Sequence, residues 1–253
     1  MKIKVSNEVS VNKYLQKLIF YLTILLGAGS LILFMIFLYK GSTKFIDFGL
    51  TTNDALILNA VLSFLFFLQH SIMLRNFFKA KVIFFIPDRY HAALFSIASG
   101  MVLTTVVIFW QKTDTIIYAV SGFYSIPFIG IFIISCVGFF WGVRALGKFD
   151  PFGIRAIKSR KEKRSQKFRV AGPYHWVRHP LYFFMLALIW TPQSLTADRL
   201  LFNILWTIWI LIGTVLEEND LITELGDVYK KYQKKVPMLF PNLFITKNNN
   251  WEE

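Results

Sequence analysis

The chain has 253 residues, of which 55% are hydrophobic and only 17% charged, against about 25% charged in soluble domains. Its formal net charge is +13 and it carries one cysteine, Cys136. This composition excludes an ordinary soluble domain, and the lone cysteine excludes an intrachain disulfide.

The apolar residues fall in blocks long enough to cross a bilayer, which takes about 20 residues per helix. The first block, Leu18–Tyr39, is too long for a signal peptide and no small-residue cleavage site follows it, so it reads as a retained helix. Leu50–Leu74, Tyr90–Trp110 and Gly122–Val143 follow as full spans. A polar, basic loop then runs from Gly147 to Gly172. A shorter apolar run, Leu181–Thr191, falls short of a full crossing at about 1.5 Å per residue. With the last span, Leu200–Leu216, it forms a helical hairpin over Pro180–Leu216 whose first arm is short. The expected fold is therefore an all-α integral membrane protein with five full transmembrane helices plus that short arm. Residues 1–244 form one membrane domain, its catalytic part about 144–241, and residues 245–253 a loose tail.

Lys and Arg are placed unevenly. Of the 28, all but Lys40, Lys44, Lys112 and Arg199 flank one set of alternating loops. The positive-inside rule then puts both termini and the basic loop in the cytosol. Insertion bias accounts for the basic excess without a nucleic-acid partner, and contact with anionic membrane lipids adds to it.

Two polar clusters bracket the hairpin on that cytosolic side, where a soluble cofactor is available. The first is GPYHWVRHPLY, Gly172 to Tyr182. Pro180 suits the first turn of a helix, which leaves His179 and Arg178 just outside its start. The free N–H groups and the helix dipole there favour an anion. Arg178 adds a planar fork that fits a carboxylate, and Tyr174 and Tyr182 flank the group. A small zwitterion suits this place, and so does a plain interfacial belt of Arg and aromatics.

The second cluster begins with Glu217, Glu218, Asp220 and Glu224 and ends with VPMLFP. Carboxylates at a helix C-terminus oppose its dipole. They suit sugar hydroxyls or a cation, or else form a solvated helix end. Gly226 is a helix stop. A basic–aromatic helix follows, with Tyr229 and Tyr232 on one side and Lys230, Lys231, Lys234 and Lys235 turned to water or headgroups. No metal-ligand spacing, GxGxxG or P-loop is present.

VRHPLY (177–182) followed by EENDL…GDVYKKYQKKVPMLFP (217–241) resembles the isoprenylcysteine carboxyl methyltransferase superfamily, integral-membrane enzymes that use S-adenosylmethionine. Within it the chain is most similar to the methanethiol S-methyltransferases and their NnrU-like relatives. QHSIMLR (69–75), FWQ (109–111) and KFDPFGIRAI (148–157) carry that closer likeness. The chain departs from the pattern after Pro87, where Asp88, Arg89, Tyr90 and His91 follow with shifted spacing. It departs again at Phe183 and Phe184, where many members have Gly, and at TPQSLT after the short arm. These positions bear on the substrate pocket.

The resemblance implies that His179, Pro180, Tyr182, Glu217 and the PMLFP segment enclose the cofactor. The expected roles follow. Arg178 and the helix start hold the methionyl carboxylate, and Glu217 or Glu218 takes the ribose hydroxyls or the amino group. Tyr229, Tyr232 and Met238 to Phe240 cover the adenine. For a thiol acceptor, His70 and Arg75 are the candidate catalytic residues, because a nearby cation raises the thiolate fraction. Gln69 and Ser71 orient the thiol, and Asp150 and Arg155 pair to fold the basic loop. Rival readings remain: carboxyl methylation of a lipidated cysteine, N-methylation of a lipid headgroup, a sterol-reductase-type enzyme with a nicotinamide phosphate cofactor, and a non-enzymatic transporter or assembly factor. The sequence is silent on oligomeric state.

Overall fold

The computed structural model describes residues 12–82, 86–147, 150–158 and 168–241. Lys2, Lys4, Lys148, Phe149, the middle of the basic loop and the 245–253 tail lie outside the described residues. The helices are α1 (Lys13–Leu22) and α2 (Gly29–Lys40), joined by a π-helical turn at Thr23–Ala28, then α3 (Thr52–Leu74), α4 (Asn76–Val82), α5 (His91–Phe109), α6 (Ile126–Ala145), α7 (Ile154–Lys158), α8 (Pro180–Ile189), α9 (Ala197–Leu225) and α10 (Asp227–Lys235). Five segments among the described residues are long and apolar enough to span a bilayer: Lys13–Lys40, Thr52–Leu74, Asp88–Phe109, Gly122–Ala145 and Ala197–Leu225. The chain is a multi-pass membrane protein with the five spans the sequence predicts. The short arm is α8, whose 10 residues reach about 15 Å, half of the hydrocarbon thickness.

Past the apolar span the helix runs on through the acidic residues to Leu225 and ends at Gly226, at φ 59°, the stop that the sequence predicts. One feature differs from expectation. A short antiparallel ribbon forms, β1 (Ile116–Ala119) with β2 (Ser194–Thr196). Strands of three and four residues are too short to leave a period-2 signal, and the two partners are far apart in the sequence.

The chain divides into two compact units. The first comprises Met1–Val120, Phe149–Ser165 and Pro192–Trp206. In it, α5 meets the first span backbone to backbone. A Cβ on Gly100 would lie 2.1 Å from the Leu26 carbonyl oxygen, so only glycine permits this approach. The Thr23 hydroxyl donates to the Ile19 carbonyl at 2.7 Å and the Ser30 hydroxyl to the Gly27 carbonyl at 2.9 Å, supporting carbonyls around the π turn. Aromatic rings fill the core: Trp206 stacks on Phe34, Phe66 and Phe202 with centroids 4.7–5.0 Å apart.

Asp198 and Arg199, at the start of α9, are buried in this unit. The Asp198 carboxylate accepts from the Trp110 indole, the Thr113 amide and hydroxyl, and the Thr196 hydroxyl, at 2.7–3.0 Å. The Arg199 guanidinium donates to the carbonyls of Phe37, at 2.8 Å, and Leu38. It thereby caps the last turn of α2, joining the Gly41 amide on the Phe37 carbonyl. Asn59 in α3 and Gln111 exchange two further bonds at 2.7 and 2.8 Å. The Asp150 carboxylate is spent on the backbone amides of Ile154, Arg155 and Ala156, at 2.6–3.1 Å, so its observed partners are the start of α7.

The second unit comprises Ser121–Lys148, Gln166–Thr191 and Thr207–Glu253. Its frame is α6 packed on α8. A Cβ on Gly138 would sit 2.3 Å from the Phe184 ring, and one on Gly142 2.7 Å from Leu181. The glycines of α6 thus form notches for the bulky residues of α8, and Phe184 occupies one of them. In α9, the residues of this unit that face inward recur every four positions: Ile210, Thr214 and Glu218 are buried while the residues on either side are more exposed. That stripe places Glu218, not Glu217, on the inner face.

Asp198→Ala is expected to lower the unfolding free energy by about 3 kcal/mol, because it strips a buried carboxylate from beside a buried arginine. Thermal unfolding of purified protein in detergent checks this; an unchanged midpoint would reject the role given to Asp198.

Candidate active site

The site is built on the start of α8. Pro180 fixes the first helical residue, so the chain enters the helix at Arg178 and His179. The backbone amides of these two residues donate to the carbonyls of Pro237 and Met238, at 2.9 and 3.1 Å. The extended PMLFP segment is thereby laid beside the α8 start, and Met238 is brought to it by main-chain bonds alone.

Glu218 is the centre of the cluster and is 6% exposed. Its carboxylate receives a two-pronged ion pair from Arg178, with Nε and Nη2 each at 2.8 Å. It also binds His179 Nε2 at 2.7 Å, accepts from the Tyr229 hydroxyl at 2.7 Å, and takes the side-chain amide of Gln233. The carboxylate partner assigns the His179 ring proton to Nε2. Arg178 Nη1 donates to the carbonyls of Gln233 and Val236 at the end of α10. Four of the five guanidinium N–H groups are therefore already committed inside the protein.

Glu217 is different. Its side chain is 44% exposed, the Tyr182 hydroxyl donates to it at 2.6 Å, and His179 Nδ1 lies 3.9 Å away. The rings of His179 and Tyr182 stack with centroids 5.5 Å apart. Glu217 thus keeps acceptor capacity on its open side, next to an imidazole and a phenol. Of the first-turn residues of α8, Pro180 has no N–H and the His179 N–H is spent on the Met238 carbonyl, which leaves those of Leu181 and Tyr182 outside the helix's own ladder. The positive end of the α8 dipole and the open Glu217 carboxylate are chemically suited to the two ends of a zwitterion.

The tyrosines support this arrangement from behind. Tyr229 and Tyr232 are 2% and 4% exposed and pack with Val236 against Val170, Leu221, Ile222 and Leu225. The Tyr232 hydroxyl donates to the Tyr174 carbonyl at 2.6 Å. Burial pushes the Tyr174 phenol far above its ordinary range, with the Glu217 charge adding to the shift. Burial likewise raises Tyr229, aided by its bond to Glu218, and raises Tyr232, aided by Tyr174. All three stay protonated hydroxyls at neutral pH.

Ten of the residues singled out in the sequence gather in this one unit: Tyr174, Arg178, His179, Pro180, Tyr182, Glu217, Glu218, Tyr229, Tyr232 and Met238. His70 and Arg75 belong to the first unit. The His70 ring lies between Phe66 and Phe95, at 5.2 and 4.9 Å, and Arg75 Nε donates to the Ser71 carbonyl at 3.4 Å. Sequence reasoning missed Gln233. Its signal was its place four residues after Tyr229, on the same side of α10.

No family model matches the chain, and no solved structure matches it. Curated relatives do. Methanethiol S-methyltransferase 2 of Bradyrhizobium diazoefficiens is 34% identical over 207 residues, 79% of this chain and 80% of the relative. The methanethiol S-methyltransferase of Pseudomonas sp. strain GM41(2012) is 36% identical over 207 residues, 79% and 78% of the two chains. That of Mycobacterium tuberculosis is 27% identical over 237 residues, 87% and 96%.

The two adjacent glutamates should separate on substitution. Glu218→Ala leaves Arg178 and His179 buried without their counter-charge and is expected to cost about 3–5 kcal/mol of stability. Glu217→Ala, at a half-exposed carboxylate, is expected to stay within about 0.5 kcal/mol. Thermal unfolding of the two variants side by side checks this; equal losses would contradict the division of roles.

Proposed function

The chain belongs to the methanethiol S-methyltransferase family, and on that premise we propose that it is a membrane enzyme that methylates a small thiol, turning methanethiol into dimethyl sulfide with S-adenosylmethionine as donor. The observation that carries the reading is the half-open Glu217 held beside His179 and the start of α8. An open carboxylate beside an imidazole and the positive end of the α8 dipole match the two ends of a methionyl zwitterion.

When bound, S-adenosylmethionine supplies a methyl group on a positively charged sulfur. Glu217 accepts hydrogen bonds from its ammonium group or ribose hydroxyls. The α8 amides, with His179 and Pro180 setting the entry of the chain, receive its carboxylate. Tyr182 orients Glu217 through their 2.6 Å bond. Met238, laid against residues 178 and 179, offers an apolar surface to the adenine side. Arg178, Glu218, Tyr229, Tyr232 and Gln233 do not need to touch the ligand. They hold α8, α9 and α10 at fixed distances, so that the binding groups are preorganised.

The acceptor needs its proton removed, since the thiolate is the nucleophile and an unperturbed thiol titrates near pH 8.5. His70 and Arg75 are proposed to favour that anion. Burial of the thiol away from water would suit a small apolar substrate. The distribution of Lys and Arg supports a cytosolic site with both termini on the same side, where the donor is made available.

Calorimetry on the purified protein is expected to detect S-adenosylmethionine binding, with Glu217→Ala and His179→Ala weakening it at least about tenfold, a loss of about 1.4 kcal/mol. Absence of binding by the unsubstituted protein would reject the donor. Methanethiol is then expected to yield dimethyl sulfide in headspace gas, and His70→Ala to lower kcat/KM for the thiol while donor binding is retained. Normal donor binding without product would reject the thiol and keep the class.

A further inference from the structure

We propose that α10 is a docking surface for anionic phospholipid headgroups, with its lysine face on the lipid and its opposite face holding the glutamate cluster. The contact follows from where the helix sits and how it is divided. α9 has 29 residues, about 43 Å of helix, against about 30 Å of hydrocarbon and about 40–45 Å of bilayer with its headgroups. Its end at Leu225 therefore reaches the headgroup layer. Only Gly226 separates it from α10, which starts at Asp227. Tyr229 and Gln233 bind Glu218, about two turns before the end of α9, so α10 folds back along α9 and stays in the layer in which lipid phosphates lie.

The two sides of α10 are chemically opposed. Tyr229, Tyr232 and Val236 are buried in the unit, and Gln233 reaches Glu218. Lys230, Lys231, Lys234 and Lys235 are all exposed and cover the remaining arc. Asp227, 3.5 Å from Lys230, is the acidic residue on that arc, so the face keeps a clear positive excess. Val228, on the same helix, is 54% exposed. Four clustered lysines beside an exposed apolar side chain, at headgroup depth, complement phosphate above acyl chain.

The contact has a consequence for the site. Arg178 donates to the carbonyls of Gln233 and Val236, and Tyr229 and Gln233 both bind Glu218. Steadying α10 on lipid steadies the Arg178–Glu218 pair and the α8 start behind Glu217. This link to catalysis rests on the methyl-transfer reading; the lipid contact does not.

The test uses the full chain in nanodiscs of phosphatidylcholine, alone or with about 30% phosphatidylglycerol as the anionic component. Amide exchange over residues 227–236 is followed by mass spectrometry. Anionic lipid is expected to slow exchange there about tenfold or more, given that each lysine near a charged surface contributes to the attraction. The effect should vanish at about 0.5 M salt, where charge reaches only about 4 Å. It should also vanish in the variant carrying Lys230→Gln, Lys231→Gln, Lys234→Gln and Lys235→Gln. Equal exchange in the two discs for the unsubstituted protein would overturn the proposal, as would equal protection in phosphatidylcholine discs from soluble glycerol phosphate. Exchange needs neither donor nor thiol, so it stands even if no methyl transfer is found. If the proposed activity is present, it should rise with anionic lipid in the unsubstituted protein and not in the glutamine variant.

Discussion

A buried carboxylate must find partners, and the second unit is organised around one. Glu218 sits in a membrane-spanning helix and is nearly closed to solvent. Leaving it unpaired in a low-dielectric interior would cost several kcal/mol. Its donors come from separate stretches of chain: Arg178 and His179 from the start of α8, Tyr229 and Gln233 from α10. No one stretch can satisfy it alone. Pairing this charge therefore requires α8, α9 and α10 to meet at one place, and the same bonds that meet the electrostatic demand fix the geometry of the neighbouring Glu217 and α8 start.

Glu217 gains its character from that arrangement. One residue of difference is about 100° around a helix. It turns one carboxylate into the core and leaves the next half-open beside Tyr182 and His179. An anchored glutamate and an available one thus arise from an adjacent pair. The same economy appears in Arg178, whose guanidinium joins Glu218 to the carbonyls of α10 and so ties a short surface helix to the transmembrane frame. The first unit relies on a comparable device. Asp198 and Arg199 are two charges in an apolar context, each engaged by hydrogen bonds to loop and helix-end groups.

Much of the candidate site was legible because its residue types are costly in a membrane helix and cluster by motif. The two polar segments around Arg178–Tyr182 and Glu217–Met238 stand out against apolar neighbours. Roles were less legible than membership. Arg178 read as a carboxylate fork for a ligand, yet a protein carboxylate takes that fork. Tyr229 and Tyr232 read as a cover for adenine, yet both rings are packed into the unit and their hydroxyls serve Glu218 and Tyr174. A sequence lists which donors and acceptors exist, but which of them pair across separate helices is a property of three-dimensional proximity. Gln233 went unremarked because an amide amid lysines stands out only by its place one turn after Tyr229, on the same side of α10.

By itself the sequence determined the five spans, the short α8 arm, the stop at Gly226 and the polarity of α10, because composition, period and helix-ending residues act over a few neighbours. It also determined the family, through motifs dense enough to be recognised. Only the tertiary structure decided that Glu218 rather than Glu217 faces inward, that Asp198 and Arg199 are buried, and that β1 and β2 pair. Those outcomes depend on the phase of long helices against their neighbours and on contacts between distant segments. There, close packing and the need to satisfy every buried polar group select one arrangement among many that local preference would allow.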